Sequence, residues 1–291
     1  MSLHLPTPLV GCDWLQQHLA HPALRVFDCS QLMERKPDGT FGFVPAREAF
    51  AAGHIPGSNF VDVATELSDR SSPLPLMMPP APELAATLRE SGVGDDSAVV
   101  LYDRGNHAWA ARVWWMLRAN GFDNAAVLDG GWQRWAADER PQEQALRPYA
   151  PAASLTLRLR PGLMVDRQEV LEALDDSATL LLHSLPRPMF TGEVVPYARP
   201  GRIKGSENLY CELLVDAESK CFHSPQRLRE LLGTTRALTA QRVIAYCGGG
   251  IAASNNALAL TLLGHNEVAV YDGSLSEWTA DPSLPMESGL V

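Results

Sequence analysis

The chain of 291 residues is written twice, and nothing else in it restricts the fold as much. "SAVVLYD" (Ser97–Asp103) reads as a buried strand, "AARVWWMLRANG" as a helix closed by Gly121, and "AAVLDGGWQRW" as a strand running into another helix. "RVIAYC", "AASNNALALTLLG" and "VAVYDGSLSEW" repeat that order further on. Gly121 stands eight residues before Asp129 and Gly264 eight before Asp272, with Trp135 and Trp278 each six residues beyond the aspartate. "GHIPGSN" (Gly53–Asn59) is echoed by "GRIKGSEN" (Gly201–Asn208), and "RVFDCS" (Arg25–Ser30) by "TLLLHS" (Thr179–Ser184). Four echoes in one order mark an internal duplication. The join falls in "RPQEQALRPYAPAAS" (Arg140–Ser154), rich in Pro, Ala and charge and without an apolar period. The expected division is therefore a domain at 1–140, a linker at 141–154 and a second domain at 155–291.

Each half alternates short apolar runs with helical patterns. That is the signature of an α/β domain, a mainly parallel sheet with helices on both faces. Sites in such folds lie at the carboxyl ends of strands, where a loop meets a helix N-terminus. Asp103 and Cys247 stand at equivalent points of this kind, and only the second carries a nucleophile.

With 46% hydrophobic and 20% charged residues, the chain has ample material for a core. A net charge of −10 without a Lys/Arg-rich run argues against nucleic acid and anionic membrane as partners. The N-terminal "MSLHLPTPLVGCDWLQQHL" has no basic n-region, continuous apolar stretch or cleavage site, and no window approaches the roughly eighteen apolar residues of a membrane span. A cytoplasmic protein is expected. The five cysteines (Cys12, Cys29, Cys211, Cys221, Cys247) form neither a C-x-x-C pair nor an even disulfide framework, so no metal site is expected.

"VIAYCGGGIAASNNALALTLLG" (Val243–Gly264) admits two readings. Gly248, Gly250 and Ala253 satisfy the dinucleotide fingerprint G-x-G-x-x-G/A, with Asp272 at the end of the next strand. Only 38 residues follow Ala253, however, and the fingerprint belongs in the first strand–helix turn of its domain, not late in it. The alternative is a cup around a sulfur. A cysteine just before a helix faces unpaired N–H groups and the positive end of the helix dipole. Glycines let successive N–H groups curl into an anion-binding nest. Both favour thiolate over thiol and make Cys247 the candidate nucleophile. A buried cysteine beside a glycine turn is the plainer alternative.

With "GHIPGSNFVDV", "LSDRSSPLPLMMP", "ARVWWMLRANGFDNAAVLDGGWQRW", "ARPGRIKGSEN", "YCGGGIAAS" and "VYDGSLSEW" side by side, the chain resembles, over its full length, the tandem-domain rhodaneses of the thiosulfate/3-mercaptopyruvate sulfurtransferase family. The resemblance implies two rhodanese-like domains, the first inactive with Asp103 at the nucleophile position, the second catalytic, and an active site at their interface. It implies a double displacement in which Cys247 takes sulfur from a donor as a persulfide. The backbone of Gly248, Gly249, Gly250, Ile251 and Ala252 would hold the anionic sulfur. Cyanide or a thiol would then remove it, with a thioredoxin-like reductant as a further partner and with no metal or organic cofactor. Two other readings stand beside this one: a persulfide carrier or sensor serving a protein partner, and the dinucleotide-binding enzyme. A related phosphatase class needs an arginine six residues after the nucleophile to grip a phosphate dianion; Ala253 stands there.

The chain departs from the family pattern in places. The loop C-G-G-G-I-A is neutral, like the C-G-S-G-V-T of mercaptopyruvate-preferring members, but lacks hydroxyls at Gly249 and Ala252. Asp-Ala-Arg after the second domain's first strand has become His183-Ser184-Leu185, and a family arginine aligns with Met189, before Phe190. Arg187, two positions away, and Arg199 in "ARPG" are the expected carboxylate ligands, and His54 the expected proton donor or a histidine bonding its own loop. A neutral loop and these two arginines favour 3-mercaptopyruvate over thiosulfate.

Overall fold

The computed structural model describes residues 2–35 and 41–290, which divide into two compact units. The first runs up to Arg160 and includes Ala217–Cys221; the second consists of Pro161–Asp216 and the chain from Phe222 onward.

In the first unit the strands are β1 (Leu9–Val10), β2 (Leu24–Asp28), β3 (Gln31–Arg35), β4 (Phe41–Pro45), β5 (Asn59–Phe60), β6 (Ala98–Tyr102) and β7 (Ala125–Leu128). Its helices are α1 (Cys12–His18), α2 (Arg47–Ala52), α3 (Ala81–Glu90), α4 (Ala108–Ala119) and α5 (Gly131–Ala137). The second unit contains β8 (Met164–Val165), β9 (Thr179–His183), β10 (Arg202–Ile203), β11 (Glu207–Asn208), β12 (Arg242–Tyr246), β13 (Val268–Tyr271) and β14 (Met286–Glu287). Its helices are α6 (Arg167–Ala173), α7 (Arg187–Thr191), α8 (Pro225–Leu232), α9 (Ile251–Leu262) and α10 (Ser274–Trp278).

The duplication is explicit in the topology. One sheet has the order β1-β7-β6-β2-β5; the other, read from the matching edge, is β8-β13-β12-β9-β11. Every neighbouring pair in both sheets is parallel. Such a sheet needs both faces covered, which is why its central strands are continuous apolar runs. "AVVLY" of β6 is buried at every position, as is β12 from Val243 to Tyr246. The antiparallel pairs β3–β4 and β10–β14 are additions outside the two sheets.

The helix after each central strand is buried along most of its length, so it cannot show an amphipathic stripe. In α9 every residue from Ala253 to Leu260 is buried, Ser254, Asn255 and Asn256 included. The paired glycines Gly121 and Gly264 end these helices in the left-handed region, at φ +81° and +85°. Phe122 N–H donates to the Leu117 carbonyl at 2.9 Å and His265 N–H to that of Leu260 at 3.0 Å, the 6→1 bond of a Schellman cap in both repeats. Trp135 and Trp278 are fully enclosed in the corresponding cores, each with a tyrosine from a central strand (Tyr102 or Tyr246).

Candidate active site

Strand β12 carries the chain to Cys247, one residue past Tyr246, which lies in register with His183 of β9. The thiol is nearly enclosed, at 2% exposure. Three glycines follow, and the last, Gly250, turns through φ +76° to start α9. The turn is held from α10. Ser274 Oγ accepts the N–H groups of Cys247 (3.1 Å) and Gly250 (3.2 Å) and donates to the Tyr271 carbonyl (2.7 Å), which uses its whole hydrogen-bonding capacity. Leu275 N–H donates to the Cys247 carbonyl, and Ser276 donates to that of Gly248 through both N–H and hydroxyl. Ser274 does this from φ +48°, a region L-residues rarely occupy. The first repeat has Gly131 there, at φ +51°.

Of the five N–H groups expected to face the sulfur, that of Gly250 is taken up by Ser274. Those of Gly248, Gly249, Ile251 and Ala252 have no protein acceptor among the described residues. The first repeat shows what a loop of this type holds. Asp103, at the position of Cys247, is 2% exposed. Its Oδ1 accepts from Gly105 N–H (2.8 Å) and His107 N–H (3.1 Å), and its Oδ2 from Trp109 (3.0 Å) and Ala110 (3.1 Å). Trp132 N–H donates to the Asp103 carbonyl as Leu275 N–H does to that of Cys247. One copy of the loop is thus filled by a carboxylate, and the other, one residue shorter between strand and helix, carries Cys247 at the same strand end.

Burial pushes the remaining cysteines toward the protonated thiol. Cys12 is raised to about 11, and Cys29, Cys211 and Cys221 also lie above their ordinary range. Among the described residues no group of three or more His, Cys, Asp or Glu is arranged to hold a metal ion, and no helix is long and apolar enough to cross a membrane.

The other sequence-expected ligands lie as follows. Arg199 donates through Nε to the carbonyl of Thr279, through one terminal nitrogen to Pro282 and Leu284, and through the other to Trp278 and Asp281. All five guanidinium N–H groups are used on one loop, and none is left for a substrate carboxylate. This corrects the sequence-based role: Arg199 clamps the turn that follows α10. Arg199→Ala is expected to lower stability by roughly 2–4 kcal/mol, as loss of several buried carbonyl partners does. Arg199→Lys should recover little of it, since an ammonium has three donors. Urea unfolding measures the first effect. Equal residual activity with thiosulfate and 3-mercaptopyruvate would separate the clamp from a donor-binding role. Arg187 is exposed on α7, with its guanidinium carbon 5.5 Å above the Phe190 ring. His54 lies in the first unit, fully buried; its Nδ1 donates to the Phe50 carbonyl (2.9 Å) and its ring stacks on Phe50 at 4.1 Å. Its bond therefore runs back to the preceding helix α2.

His183 is fully buried at the end of β9. Its Nδ1 accepts from Leu185 N–H and from the Asn208 amide, both at 3.3 Å, which places the proton on Nε2. Burial pushes its pKa down to about 3, so it is a neutral imidazole. The first repeat carries Asp28 there, beside Ser30 and 3.2 Å from Arg104.

Two residues of the site had no place in the sequence reading, Ser274 and Tyr197. Ser274 could have been noticed as a side chain where the matching "DGG" turn has a second glycine. Tyr197 lies in "PYARPG", outside any periodic element, and no sequence signal marks it. Yet a Cβ built on Gly248 would fall 1.8 Å from its hydroxyl oxygen.

Fold and loop together define a duplicated α/β protein with a nearly enclosed thiol in the turn between a central strand and its helix. The model of the rhodanese-like domain matches this chain twice, at residues 12–138 and 167–281. The 3-mercaptopyruvate sulfurtransferase of Escherichia coli K12 is 32% identical over 285 residues, covering 97% of this chain and 98% of the relative. The thiosulfate sulfurtransferase of Cricetulus griseus is 32% identical over 295 residues, covering 97% and 95%. The crystal structure of SseA from Escherichia coli, a 3-mercaptopyruvate sulfotransferase, superposes with a TM-score of 0.81 at 30% identity, covering 93% of this chain and all of that one. The chain belongs to the rhodanese family, as a tandem-domain member.

Proposed function

We propose that this protein is a sulfurtransferase that moves a sulfane sulfur from a small donor to a thiophilic acceptor through a persulfide on Cys247. The observation that carries this reading is the pair of equivalent loops. Asp103 shows the first loop satisfying an anion with four backbone N–H groups, and the second loop offers Cys247 in its place. Relatives with matching length and both activities support it.

In the first half of the cycle the Cys247 thiolate attacks the donor's outer sulfur. A sulfur–sulfur bond forms on the enzyme and the donor's bond to that sulfur breaks, its electron pair leaving with sulfite or with the enolate of pyruvate. The N–H groups of Gly248, Gly249, Ile251 and Ala252 stabilise the charge on the bound sulfur, as donors in an oxyanion hole do. In the second half, cyanide or a thiol attacks the outer sulfur and the thiolate departs. A thioredoxin-like dithiol fits this step as the thiol acceptor, and a cytoplasmic location fits a reduced nucleophile. The preferred donor is 3-mercaptopyruvate. Gly248, Gly249, Gly250 and Ile251 offer no cation to a compact dianion such as thiosulfate, and Arg187 remains the one expected carboxylate ligand with donors to spare.

Intact-mass measurement after incubation with each donor tests the reading. A gain of one sulfur atom, mapped to Cys247 and removed by cyanide, is the expected result. No gain with either donor, or a gain on another cysteine, overturns it.

A further inference from the structure

We propose that the Tyr197 hydroxyl is a catalytic hydrogen-bond donor to the departing group in the first half of the cycle, and that it favours a carbonyl leaving group over sulfite. This rests on the reading of Cys247 as the sulfur-accepting nucleophile.

The phenol lies on the loop backbone immediately after that nucleophile. A Cβ at Gly248 would meet the hydroxyl oxygen at 1.8 Å and the ring carbon bearing it at 2.8 Å, so ring and glycine require one another. The first repeat uses the same position differently. There Arg104 follows Asp103, and its side chain folds back onto Asp28, the Gly53 carbonyl and the Trp132 ring. In the second repeat that side chain is absent, and a phenol from a distant segment takes the space.

Tyr197 also differs from every other tyrosine of the chain. Tyr102 shares a hydrogen bond with Ser58, and Tyr149 donates to the Gly57 carbonyl. Tyr246 donates to Ser206, Tyr271 to Glu277, and Tyr210 is bonded to Glu212. The hydroxyl of Tyr197 has no protein partner among the described residues, although its ring is fixed against the core of the second unit. A half-buried phenol held by its ring, with its hydroxyl beside the residue after the nucleophile, has that O–H available to a bound donor molecule. Burial first, and then the charge of Cys247, raise its pKa above that of an ordinary phenol. It keeps its proton at any working pH.

The chemistry follows from that. When the Cys247 thiolate attacks 3-mercaptopyruvate, the S–S bond forms and the C–S bond breaks, with the electron pair passing into the carbonyl to give the pyruvate enolate. The donor's thiol proton stays on the outer sulfur of the persulfide, and water protonates the enolate carbon. The Tyr197 O–H donates to the enolate oxygen as its charge develops and retains its own proton throughout. Donors aimed at a developing charge act in this way. Sulfite leaves as a stable anion with its charge already spread over three oxygens, and gains less.

Tyr197→Phe keeps the ring and removes only the donor. The rate of persulfide formation on Cys247, followed by intact mass in a single turnover, is expected to fall about 100-fold with 3-mercaptopyruvate, the scale of losing one oxyanion donor, and about tenfold or less with thiosulfate. Removal of the sulfur by cyanide should keep its wild-type rate. Equal losses with both donors, or no loss with 3-mercaptopyruvate, would overturn the assignment. A melting temperature several degrees below wild type would do so too, by making the hydroxyl structural. Failure of the wild-type protein to form the persulfide with either donor would instead refute the underlying reading of Cys247.

Discussion

Cys247→Ser is expected to lower sulfur transfer by at least about 10³-fold, the scale on which loss of a covalent nucleophile acts. A serine hydroxyl fits the site, so the fold should persist. Oxygen, however, is neither nucleophilic enough to attack a sulfane sulfur nor able to carry one. The four remaining amides would then face a neutral hydroxyl. Replacing Cys12, Cys29, Cys211 or Cys221 singly should leave most activity, because burial keeps each of these as a thiol. Steady-state transfer to cyanide, with thiosulfate and with 3-mercaptopyruvate, measures both halves of the expectation. Substantial turnover by the serine variant would remove Cys247 from the mechanism.

The parts of this structure legible in the sequence are those set by repetition and by backbone chemistry. Two copies of strand, helix, glycine and strand announced two α/β domains with mainly parallel sheets, though not the order of their strands, and Gly121 and Gly264 marked helix ends because a Schellman cap needs a left-handed residue. Cys247 stood out for a similar reason: a strand end, three glycines and a helix start coincide only there. Side-chain allegiance was not legible. Arg199 carries the same charge whether it grips a substrate or five carbonyls, and which it does depends on the path of residues 278–284. Tyr197 reaches Gly248 from fifty-one positions away through a loop without periodicity, so no local pattern could place it. Ser274 shows the intermediate case. Its turn was visible in the repeat, but its hydroxyl's hold on the N–H groups of Cys247 and Gly250 needed three dimensions.

Asp103→Ala is expected to destabilise the first unit by roughly 3–5 kcal/mol, because it deletes one acceptor group from four buried donors at once. Gly105, His107, Trp109 and Ala110 all direct their N–H groups at this carboxylate, two on each oxygen. Two of the four belong to the first turn of α4, where no backbone carbonyl is available to replace it. Asp103→Asn separates charge from shape. The amide fits the same space, but its NH2 group must point at two N–H donors whichever way it is flipped, so Asn should restore less than half of the loss. A cavity argument predicts the opposite order, with Asn close to wild type. Urea unfolding of the three proteins decides between them. The chemistry supplies an independent check. Persulfide formation on Cys247 should continue in Asp103→Ala under conditions where the variant is folded, since the silent loop contributes structure and no sulfur-carrying atom. A loss of transfer as deep as that of Cys247→Ser, in folded protein, would mean that the carboxylate in the first repeat takes part in the reaction.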